Sequence, residues 1–156
     1  MTIPEYVEGL TRYANAYLIR VVRAMPQERR TWRPMDEGRA ALDQVMECAQ
    51  VADWFARILA TQDAEFLSPG FLESERAARS SVQTIEGAEA ALNASSERLF
   101  AALAAVPAEV LDQTVEIMPG WSDTLANVMF MPLRNLWYHI GQVNYIQTLY
   151  GDRQMH

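Results

Sequence analysis

The stretch from Trp121 to Asp152 constrains the fold of this chain most strongly. Ser122 or Asp123 offers a side-chain cap to a starting helix. Leu125, Val128, Pro132, Leu136, His139, Val143, Ile146 and Tyr150 then fall on one stripe at helical spacing. Pro132 removes a backbone hydrogen bond and crowds the preceding turn, so a kink or break is expected near Phe130. Gly151 supplies the stop. A long helix with one apolar stripe needs other helices to cover it. The stripe also carries a histidine, the only one inside the chain besides the terminal His156.

Three further helices are read from the same periodicity. The first runs from Pro4, suited to a first turn, to about Met25, where Pro26 ends it. A connector over residues 26–40 follows, with a short turn at 27–31 and Trp32 placed as a plug over one end of the core. The second helix is expected over 39–64. Val45, Cys48, Val51, Phe55, Ile58 and Leu59 lie on its apolar side, Asp43, Gln50 and Asp53 on its polar side, and Glu47 at the border. Ser68-Pro69-Gly70 breaks the chain, and a polar connector is expected to about residue 80. The third helix runs to about Val106 with Ile85, Leu92, Leu99 and Leu103 as its seam. Gly87 within it suggests a close helix contact. Thr114–Met118 reads as a short extended piece. The sum is an all-α chain: a four-helix bundle with long connecting loops, residues 1–156 forming one domain. The loops are long enough for a crossover topology.

Composition narrows the function. The net charge is −7, with 20 acidic residues against 13 basic ones, all arginine. A surface of that sign repels nucleic acid, and no basic patch is segregated along the chain. No stretch approaches the ~20 apolar residues of a membrane span. No signal peptide is apparent at the amino terminus, and the single cysteine fits a reducing cytoplasm. A cytoplasmic protein without nucleic-acid or membrane partners is therefore expected.

Asn135 and His139 stand four apart, so they share a helix face one turn apart. That spacing lets one helix offer two ligands to a metal ion. Glu47 on the second helix is the natural third partner if the two helices pack together. The alternative is a buried His139 hydrogen-bonded to Glu47 with no metal. Cys48, beside a carboxylate on an apolar wall, reads as core rather than nucleophile. Trp137 and Tyr145 fall off the main stripe and are candidates for a subunit interface.

Leu136-Trp137-Tyr138-His139-Ile140-Gly141-Gln142-Val143 and the closing Leu149-Tyr150-Gly151-Asp152 resemble the last helix of the DinB-like (DinB/YfiT) superfamily. Trp32-Arg33-Pro34 is similar to its Trp-x-Pro connector, and residues 39–49 to the opening of its second helix. The resemblance implies a four-helix bundle, often a homodimer. It also implies a divalent metal such as nickel or zinc, held in many members by three histidines: one on the second helix and two on the last at i and i+4. Those places are Glu47, Asn135 and His139 here, so one histidine of three is kept. Two functions are expected from this. One is a metal-dependent hydrolase or thiol transferase of unknown substrate built on a degenerate metal site. The other is a non-catalytic, dimeric binding or scaffold protein that has lost its metal. Either would take an unknown small-molecule ligand.

Overall fold

A computed structural model describes residues 1–156. Four long helices form the bundle: α1 (Ile3–Ala24), α3 (Ala41–Thr61), α5 (Ile85–Ala105) and α7 (Met131–Leu149). Between them lie the one-turn α2 (Gln27–Arg30), α4 (Pro69–Arg79), the strands β1 (Thr114–Met118) and β2 (Trp121–Thr124), and the one-turn α6 (Leu125–Val128). The all-α bundle read from the sequence is the architecture found.

The helix directions follow from which residues share a core. One cluster joins Leu18, Val22 and Met25 late in α1 to Leu42 and Val45 early in α3, Leu92 in the first half of α5 and Val143 late in α7. The other joins Val7 early in α1 to Ile58 late in α3, Leu103 late in α5 and Met131 at the start of α7. Thus α1 and α7 run one way, and α3 and α5 the other. The helices pack in the ring order α1–α5–α3–α7, so α3 and α5 are parallel neighbours. Parallel neighbours demand a return crossing of the whole bundle, about 31 Å for a helix the length of α3. The connector over residues 62–84 makes that crossing.

This crossing differs from the polar connector expected there: its middle is α4. Ser68 caps it by accepting from the Phe71 N–H (3.3 Å), and Pro69 sits in the first turn. Phe71 packs edge-on against Trp54 and Phe66. The Trp54 indole donates to Glu75 (3.1 Å) and the Gln50 amide to the Glu75 carbonyl (2.8 Å). These contacts lay α4 along α3 and place its last residue, Arg79, in the protein interior. Tertiary anchoring makes the helix, and the sequence pattern of α4 alone is too polar to announce it.

Two other readings change in detail. Ser122 and Asp123 lie before the cap position, inside β2, which pairs antiparallel with β1. Thr124 is the cap and accepts from the Asn127 N–H at 3.3 Å. The expected break at Phe130 is found: α6 ends at Val128, α7 starts at Met131, and Pro132 lies in its first turn, where its missing N–H costs nothing. Gly87 meets no other helix; a Cβ there would stand 3.1 Å from the Thr84 hydroxyl that caps α5. The seam of Ile85, Leu92, Leu99 and Leu103 is fully buried, and Trp32 lies half-buried over the core, edge-on to Tyr150.

Candidate functional site

His139 comes from the buried face of α7 and is 0% exposed. Gln44 and Glu47, three residues apart on α3, face it across the helix–helix contact. The ring Nδ1 lies 3.0 Å from Gln44 Oε1, and Nε2 lies 3.1 Å from Glu47 Oε1. The Gln44 amide nitrogen donates to the Arg39 carbonyl at 3.4 Å, which turns its oxygen toward the ring and helps to fix the ring plane. Glu47 is different. Its carboxyl is held down to about 2. Burial pushes it the other way, and the His139 hydrogen bond together with the charges of Arg39 and Arg79 overcomes burial. An ionised carboxylate only accepts, so His139 Nε2 carries the proton.

The other carboxylate oxygen, Oε2, is held by two guanidiniums. Arg39 Nη2 stands 2.7 Å away and Arg79 Nη1 2.9 Å. The same pair holds Asp43: Arg39 Nε donates to Oδ2 at 2.7 Å, and Arg79 Nε is 3.1 Å from Oδ1. Asp43 and Glu47, four apart, line one edge of α3, and Arg39 reaches them from just before the helix. Arg79 reaches that edge from the end of α4 and is only 7% exposed. Two cations and two anions thus close a neutral quartet beside the histidine.

Of the expected residues, Glu47 and His139 are brought together. Asn135 sits half-buried one turn earlier on α7, and its Oδ1 is buried without any hydrogen-bond partner. It bonds to neither of the other two. An orphaned amide oxygen alone would suit a cation. The two guanidiniums weigh against one: Arg79 donates to the Glu47 oxygen that a metal would need, and both cations repel a dication at the same place. His139 Nε2 would also have to give up its proton. No three His, Cys, Asp or Glu side chains converge elsewhere. The donor set therefore does not fit a divalent metal as it stands. Cys48 is buried, and burial followed by the Glu47 charge pushes its thiol up, so it is core and not a nucleophile.

The sequence reading missed Arg39, Gln44 and Arg79. The spacing of Arg39, Asp43 and Glu47 carried a signal for the first. Nothing in the sequence placed Arg79 here, because α4 had to be found before its last side chain could be. Arg134, next to Asn135 in the chain, stands exposed and contacts the Met131 sulfur.

The whole bundle is similar to the crystal structure of the mycothiol-dependent maleylpyruvate isomerase, a member of the DinB-like superfamily, with a TM-score of 0.70 at 16% identity. The fold is DinB-like. A histidine-to-alanine variant of that isomerase superposes equally well, with a TM-score of 0.72 at 16% identity. In both cases 92% of this chain is covered but only 61% of the other, so this chain spans less than two thirds of the isomerase. No family profile matches the sequence, and no curated protein does. No helix is long and apolar enough to cross a membrane.

Proposed function

We propose that this DinB-like bundle is a non-catalytic binding protein that works without a metal, and that Arg39 and Arg79 neutralise Glu47 where a cation would otherwise be needed. The observation that carries this reading is the pair of guanidiniums on one carboxylate oxygen, 2.7 and 2.9 Å away. The charges of this network balance, two guanidiniums against two carboxylates. It leaves no open coordination position and no unpaired carboxylate to act as a base.

A second reading is favoured by the likeness of fold to a thiol-dependent isomerase. On it, nickel or zinc at Glu47, Asn135 and His139 would serve a thiol transferase or hydrolase. Elemental analysis of untagged protein, purified without chelator, separates the two. The metal-free reading expects less than about 0.1 ion per chain and no change of melting temperature on chelation or on adding nickel or zinc. About one ion per chain, lost in His139→Ala, would establish the second reading instead.

We further propose a cytoplasmic homodimer formed through the aromatic face of α1 and α7. Tyr13 and Tyr17 pack against Trp137, yet Trp137 remains 44% exposed. Tyr145 stands exposed on α7 as well. Exposed rings of this kind on a single face suit a partner. Sedimentation equilibrium of the same preparation reads the state. A dimer that becomes a monomer in Trp137→Glu supports the interface, and a wild-type monomer contradicts it.

A further inference from the structure

A cavity of about 570 Å³ opens beside the quartet. Its charged lining is Arg33, Arg39, Arg76, Arg79, Asp43 and Glu47. Four cations face two anions there, and the chain as a whole carries −7. The local sign is therefore opposite to the global one. Both carboxylates are already shared between Arg39 and Arg79. Arg33 makes no ion pair; its Nε donates to the Gly38 carbonyl at 3.0 Å, which fixes the stem and leaves the end of the fork free. Arg76 has only the exposed Glu73 at 2.9 Å, a pair of little strength in water.

Two buried nitrogens add to this. Arg39 Nη2 and Arg79 Nε lie at ion-pair distance from their carboxylates but out of line for a hydrogen bond. Arg79 is more than nine-tenths buried, so its donor is fixed in place rather than swept through solvent. Thr31, Ser80 and Gln83 supply neutral polar groups along the same wall.

We propose that this cavity binds a small organic dianion whose oxyanion groups meet the guanidiniums of Arg33 and Arg76 at the mouth, above the Arg39–Arg79 floor. The proposal rests on the metal-free reading, because a dication at Glu47 would compete for the same floor. Guanidinium forks match planar carboxylates and phosphates alike, so a dicarboxylate and a phosphate share the chemistry required. A neutral ligand would leave the two excess cations uncompensated. A large polyanion such as nucleic acid would meet the acidic remainder of the surface.

The test is calorimetric titration of the full chain with succinate and with inorganic phosphate, using acetamide as the neutral control. A dissociation constant below about 1 mM for either dianion is expected, with no heat from acetamide. The Arg33→Gln/Arg76→Gln double variant changes only exposed side chains, so it keeps the wild-type fold by circular dichroism and weakens binding by at least about tenfold. Binding of succinate alone supports a carboxylate ligand, and binding of phosphate alone supports a phosphorylated one. No binding of either dianion, or equal binding by the folded double variant, overturns the proposal. The metal content of the same sample is measured in parallel. Stoichiometric metal there would sink the metal-free reading, whereas absent anion binding in metal-free protein would sink only the assignment of the ligand.

Discussion

Replacing Arg79 with alanine is expected to lower the unfolding free energy by about 3–5 kcal/mol, the cost of breaking a buried ion pair from one side. Arg79 is 7% exposed and contacts Asp43, Glu47 and Gln50 together. Without it, two carboxylates on α3 share the single guanidinium of Arg39, and the Glu47 side chain is only 19% exposed. The crossing segment also loses its tie, since α4 reaches α3 at this end through Arg79. Arg76→Ala, three residues away and paired only on the surface, is expected to change stability by less than about 0.5 kcal/mol. Urea titration of the two variants measures the difference. A loss below about 1 kcal/mol for Arg79→Ala would mean that the quartet is not a structural unit.

The second large effect is expected in acid. Glu47 is held near about 2 in the folded protein against an ordinary 4.5. A carboxyl depressed by folding contributes stability that is fully present above its unfolded value and is lost as the pH falls through its folded one. The contribution is about 3 kcal/mol, retained near neutral pH and lost between about pH 5 and pH 2. Other carboxylates titrate in the same window, so the diagnostic quantity is a comparison. Glu47→Gln, which cannot ionise, is expected to be less stable at pH 7 and to lose about 3 kcal/mol less on acidification. Denaturant midpoints at several pH values check this. Parallel curves for the two proteins would contradict the account.

The pattern of these two effects shows what the sequence could and could not reveal. The four long helices were legible because each has an apolar stripe and proline or glycine at its ends, as with Pro26, Pro107 and Gly151. The break before Pro132 was legible because proline chemistry is local. The pairing of His139 with Glu47 was also within reach: both sit on inward edges at helical spacing. The short helix α4 was not, since its stability comes from Phe71, Glu75 and Arg79 meeting α3 rather than from its own pattern. The hairpin partner β2 was hidden for the same reason, and with it the true cap, Thr124. The two arginines that change the meaning of the site were hidden in different ways. Arg39 was in view but unweighted, and Arg79 was placed by a crossing that only the folded chain displays. A reading limited to Glu47, Asn135 and His139 sees a metal site with two substitutions. The folded protein adds two guanidiniums against one Glu47 oxygen, 2.7 and 2.9 Å away.

The state of His139 tests the metal-free reading most directly. A metal ligand needs Nε2 free of its proton, whereas a donor to Glu47 needs the proton in place. Nitrogen-15 NMR of ring-labelled protein at neutral pH distinguishes the two, with His156→Ala removing the only other imidazole signal. The account predicts a protonated Nε2 that shows a hydrogen bond to a carboxylate and does not shift when zinc or nickel is added in equimolar amount. An unprotonated Nε2, or one that moves or broadens stoichiometrically with added metal, would contradict it.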